Sequence, residues 1–119
     1  MTEYLERGFY HMKKLSYSLS QLDISTLLCT LDILQDIDDF VKSATQKELN
    51  DDCCKSAMKK LIFHRTDFDN NDIRVMAASL SIAQMILSGQ VQTTDENKKR
   101  LAEYADNIDY LQPIYNSVF

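Results

Sequence analysis

Between Asp23 and Lys42 the chain reads DISTLLCTLDILQDIDDFVK, and this stretch limits the fold more than any other. Stepped at 100° per residue, its apolar side chains fill two stripes. Ile24, Leu27, Leu28, Leu31, Leu34 and Val41 make one; Cys29, Ile33, Ile37 and Phe40 make the other. Only Ser25, Asp32, Asp36 and Asp39 are left as a polar strip. A helix apolar over most of its circumference needs neighbours on more than one side. Asp23 and Ser25 are both suitable N-caps for it.

A second segment has the same character. From an N-cap at Asn71 or Asp72 to Ser88, with Gly89 at the C′ position, Ile73, Met76, Ala77, Leu80, Ala83 and Leu87 line one side and Val75, Ile82 and Ile86 another. Three further helices are expected around these two. One runs from Glu3 to Leu22 with Leu5, Phe9, Met12, Leu15, Leu19 and Leu22 on one face. Another is opened by the capping-box pair Thr45 and Glu48, extends from Gln46 to His64, and buries Cys53, Cys54, Ala57, Met58, Leu61 and Ile62. The last starts at Thr93, paired with Glu96, or at Thr94 alone. It carries Leu101, Tyr104, Ala105, Ile108 and Leu111 and ends at Pro113. With only 2 Gly and 1 Pro in 119 residues, a many-turned β-sandwich is disfavoured. The expectation is an all-α, single-domain bundle of about five helices over residues 1–119, with the second and fourth at its centre.

A hydrophobic fraction of 45% suffices for one core without metal or disulfide staples. The net charge of -5 and pI of about 4.9 argue against a protein that coats phosphate backbones. No window approaches the roughly 18 apolar residues of a membrane span. The N-terminus, with Glu3 and Glu6, has the pattern of neither a secretory signal nor a transit peptide. Three cysteines suit a reducing compartment, so the expected location is the cytoplasm of a bacterial or host cell.

The most reactive-looking run is Asn50-Asp51-Asp52-Cys53-Cys54-Lys55-Ser56. Adjacent helical residues diverge by about 100°, so Cys53 and Cys54 do not aim at one buried metal, and His64 lies about 16 Å further along the axis. Asp51 and Asp52 oppose thiolate formation. Both thiols therefore read as packing residues, Cys54 towards the core and Cys53 at its margin. Asp67 to Asp72 imitates the start of a calcium loop, but position six is Asp72 rather than glycine and position twelve is Ala78 rather than glutamate; capping and turn roles account for it. Asp32, Asp36 and Asp39 read as a solvated face, while Asp38 falls among apolar neighbours near a helix end. No phosphate loop, nucleophile elbow or metalloprotease pair is present, and no catalytic, cofactor or metal-binding residue is assigned.

Aromatic residues off the core stripes are the remaining signal, because rigid amphipathic rings anchor interfaces. Tyr10, Tyr17, Phe63, Phe68, Tyr110, Tyr115 and Phe119 are the candidate interface residues. The apolar tail PIYNSVF is expected to fold back through Ile114, Val118 or Phe119, or to dock on a partner. These features lead to a non-enzymatic protein that binds, regulates or sequesters another protein, with self-association as a homodimer as one form of this. By fold analogy, immunity proteins, antitoxins, secretion chaperones and host modulators are small acidic helical bundles of this kind. The alternative is a helical transcription regulator using Lys98, Lys99 and Arg100, opposed by Asp95 and Glu96 at the start of the same helix.

Overall fold

The structure, a computed structural model, describes residues 19–37 and 44–116, the side chains of 44–49 excepted. These residues form five α-helices and no strand: α1 (Gln21–Leu34), α2 (Ala44–Ile62), α3 (Asn70–Leu87), α4 (Asp95–Ala102) and α5 (Ala105–Asn116). The expected helix from Glu3 lies outside the described residues up to Ser18, and its end is corrected. Ser20 is extended, accepts the Asp23 N–H at 3.1 Å, and donates its own N–H to the Asp23 carboxylate at 3.0 Å. This capping box assigns Gln21 and Leu22 to α1 and makes Asp23 the partner of the cap rather than the cap. At its far end α1 stops at Leu34, because the Asp36 and Ile37 amides turn back onto the Ile33 and Leu34 carbonyls. The expected continuation to Lys42 is therefore broken, and residues 38–43, Asp38 among them, lie outside the described set.

The start of α2 is also earlier than the sequence suggests, so Thr45 lies inside the helix rather than capping it. Its C-terminus closes around His64, at φ +56. The Arg65 amide reaches the Lys60 carbonyl at 2.9 Å and the His64 amide reaches the Leu61 carbonyl at 3.1 Å. This is a Schellman closure with histidine in the left-handed position that glycine normally takes. The same closure ends α3, there with Gly89 at φ +86.

α3 is capped by Asp69 rather than Asn71 or Asp72; Asp72 is the reciprocal acid of the box. Its Ile73, Met76 and Leu80 are fully buried, and it packs against all four other helices. The expected pair of central helices is therefore corrected to a single centre, α3. α1 also packs against all four other helices, though less extensively, and it leaves Gln21 and Leu22 exposed and Ser25, Leu28 and Asp32 only half-covered. A hydrogen bond of 2.8 Å between Thr30 and Ser79 Oγ atoms ties α1 to α3 within the core.

The expected last helix is two helices. Arg100 on α4 donates to Asp32 at 2.9 Å, while Asn107 on α5 donates to Asp23 and Thr26 at 3.1 and 2.8 Å. These contacts fix α4 and α5 to opposite ends of α1, and the turn at Glu103–Tyr104 joins them through an i→i+3 bond from Tyr104 to Leu101. Pro113 lies inside α5 instead of ending it. The lost backbone bond, from position 113 to the Asp109 carbonyl, falls on the exposed side of α5, where both residues are exposed. An interior proline costs about 3 kcal/mol; extending the helix offsets much of this by burying Tyr115 completely and Ile114 in part. The expected return of the tail over the bundle thus holds at Ile114, while Val118 and Phe119 lie outside the described residues. No described helix is long and apolar enough to cross a membrane.

Candidate functional site

Helical spacing places Ser25, Cys29 and Asp32 along one stripe of α1. This stripe faces a cleft of about 510 Å³, whose opposite walls are Met58 and Ile62 of α2 and Arg100, Glu103 and Tyr104 at the end of α4. Leu28 and Cys29 contribute the α1 side of its apolar floor, and a contact of 3.3 Å from the Gln35 amide to the Met58 sulfur crosses between α1 and α2. Ile62, one of the residues expected in the core, is 55% exposed; Phe63, next to it at the helix end, is 65% exposed, and Leu22 54%. The Schellman turn at His64 ends α2 at this point and leaves both side chains uncovered.

Two of the cleft's charged groups are engaged with each other. Arg100 pairs with Asp32, which keeps the guanidinium firmly charged. Burial pushes the Cys29 thiol up; Arg100 pulls it down, and Asp32 and Glu103 add to the rise. A raised thiol is a poor nucleophile. Cys53 and Cys54 are both buried, Cys54 almost completely, and all three cysteines are free thiols. Among the described residues no three His, Cys, Asp or Glu side chains converge as metal ligands.

The Asp67–Asp72 run does structural work. Asp67 pairs with Arg65, Asp69 caps α3, and Asp72 accepts from Lys60 at 2.6 Å and from Ser56 at 3.1 Å. Lys98 and Lys99 line a separate cleft of about 430 Å³ with Ile86, Leu87 and Gly89, away from Arg100.

The expected interface residues separate into three groups. Phe63 and Tyr110 are exposed, but neither lines the cleft: Phe63 follows the lining residue Ile62 in the chain, and Tyr110 stands on α5. Phe68 and Tyr115 are corrections, being 4% and 1% exposed. Phe68 occupies the position just before the Asp69 cap, where a hydrophobic staple turns a ring inwards toward Ile73. Tyr115 is drawn into the core because α5 continues past Pro113 on the stripe of Ile108 and Leu111. Tyr10, Tyr17 and Phe119 lie outside the described residues.

None of the nine residues that line the cleft was among the candidate interface residues read from the sequence. The available signal was the excess apolar circumference of α1. No protein family, curated protein or solved structure matches this chain.

Proposed function

We propose that this chain is a non-enzymatic protein-binding module whose docking face is the cleft between α1, α2 and the end of α4. The observation that carries the reading is an uncovered apolar wall: Ile62 lines the cleft with Leu28 and Met58 yet is 55% exposed, and its chain neighbour Phe63 is 65% exposed. Contiguous exposed apolar surface with a polar rim is the usual mark of an interaction site. The Asp32–Arg100 pair and the raised Cys29 thiol fit a recognition surface better than a reactive one.

Affinity capture from the native cell tests it with three variants compared with the wild-type chain. Ile62→Asp and Phe63→Ser should each abolish recovery of the bound protein while thermal stability stays within about 0.5 kcal/mol, as for other surface changes. Tyr110→Ser, off the cleft, should leave recovery intact. Equal recovery by the Ile62 and Phe63 variants would refute the assignment. Retention on duplex DNA that is lost on neutralising Lys98 and Lys99 would transfer it to the nucleic-acid alternative.

A further inference from the structure

The charges around the cleft are unevenly distributed. Near Cys29 and Arg100 stand Asp32, Glu96 and Glu103, three carboxylates close enough to influence the titration of one or the other, against the single guanidinium of Arg100. Arg100 is already committed to Asp32, so Glu96 and Glu103, both exposed, have no ion pair among the described residues. Lys98 and Lys99 do not compensate at this face, because both line the other cleft. On the α2 wall, Asp51 and Lys55 share the stripe of Met58 and Ile62 and offset one another in formal charge. The cleft thus has an apolar floor, a neutral wall on α2 and a net negative charge opposite, where Asp32 and Glu103 in the lining outnumber Arg100 and Glu96 lies near Arg100.

Its length selects the shape of the occupant. From Ser25 to Asp32 the α1 side of the cleft covers about 10 Å, two helical turns. A groove of this length between helices matches the i, i+3, i+4, i+7 anchors of one amphipathic helix. We propose that the cleft takes a basic amphipathic helix from a partner protein, its apolar stripe against Leu28, Met58 and Ile62 and its Lys or Arg flank against Glu96 and Glu103. This inference rests on the docking face proposed above and adds the chemistry of the partner. The chain's acidic net charge, -5, speeds association with such a ligand as well.

The test uses the full chain and two fluorescent helical peptides of about four turns, each with leucines at i, i+3, i+4 and i+7. One carries lysine at the remaining positions and the other glutamate. Fluorescence anisotropy should show the lysine peptide binding at least about tenfold more tightly than the glutamate peptide. Ile62→Asp should weaken the lysine peptide by a similar factor, and Glu103→Lys should narrow the gap between the two peptides. Equal binding of both peptides, still sensitive to Ile62→Asp, overturns the basic partner and leaves the docking face standing. Lysine-peptide binding indifferent to Ile62→Asp is diffuse charge attraction and also overturns the proposal. So does failure of both peptides to bind. Sedimentation of that sample then tests the other occupant: a dimer split by Ile62→Asp marks a second copy of the chain.

Discussion

Asp72 joins three devices, and its replacement by Asn should be among the most destabilising isosteric changes in the chain. Its carboxylate accepts from Lys60 Nζ at 2.6 Å, from Ser56 Oγ at 3.1 Å and from the Asp69 amide at 3.0 Å. The side chain of Asp72 is 1% exposed and that of Lys60 14%. In Asp72→Asn the amide oxygen still serves the capping box, but the Lys60 ammonium loses its counter-charge in a mostly buried position. Breaking a buried pair from one side costs about 3–5 kcal/mol. Lys60 retains the Asp67 carbonyl at 3.1 Å and has a flexible stem that can lift its charge towards water, which lowers the expectation to about 2–3 kcal/mol. For a chain of this size that lowers Tm by about 10 °C. Lys60→Met should cost about 3 kcal/mol, because the carboxylate left behind is the more deeply buried partner. Urea unfolding followed by far-UV circular dichroism, with unchanged m-values, gives each free energy. In the double variant the losses should fall short of their sum by about 2 kcal/mol. Single losses below about 0.5 kcal/mol, the range of an exposed pair, would refute the reasoning, as would simple additivity.

Four further outcomes are expected. Cys54→Ala should lower stability by about 1–2 kcal/mol through a small cavity, with Cys53→Ala milder because Cys53 lies at the core margin; equal losses in urea melts would contradict the packing roles. His64→Gly should raise stability by about 1 kcal/mol by relieving the left-handed residue at the end of α2, and an unchanged urea midpoint would show no strain there. Thr30→Val should cost about 1 kcal/mol, and adding Ser79→Ala should cost less than the two singles together, since both ends of one buried bond are then gone. Tyr115→Phe should be neutral or stabilising, because its hydroxyl is buried without a hydrogen-bond partner among the described residues. Burial, with the Asp23 charge adding to it, raises the Tyr115 pKa above its ordinary value. The folded state therefore keeps the phenol protonated. Its stabilising contribution is full below the unfolded pKa of about 10 and is lost as pH rises above it. Urea midpoints taken up that alkaline limb should fall less steeply for Tyr115→Phe than for the wild-type chain.

The helical periodicity was legible because burial imposes it: Leu27, Leu31, Ile73, Met76 and Leu80 are in the core where the 3.6-residue spacing puts them. The caps were harder to place. Asp23 and Asp72 were both read as possible caps, and each is instead the acid three residues beyond the cap, paired with Ser20 and Asp69. An aspartate at either position serves the free amides of the first turn, so composition alone does not separate them. The reciprocal spacing does, in SQLD and DNND. The break after Ala102 left no local mark, since neither glycine nor proline stands there. It follows from where Arg100 and Asn107 meet α1, contacts 68 and 84 residues distant in sequence.

The same distinction between local pattern and tertiary contact explains the candidate site. Off-stripe aromatics were taken as exposed, which holds for Phe63 and Tyr110 but fails for Phe68 and Tyr115. Phe68 is off-stripe because it precedes the helix, and there its ring turns inwards as a staple; Tyr115 is on-stripe once α5 is allowed to run through Pro113. The cleft was hidden for the opposite reason. Leu28, Met58 and Ile62 have the spacing of core residues, and spacing records that a side chain is apolar without recording that a neighbour covers it. What the sequence did hold was a surplus: α1 is apolar around more of its circumference than the neighbouring described helices cover. Such a surplus requires a cover or remains an exposed patch, and the half-covered Leu28 with the exposed Leu22 shows where on α1 it lies.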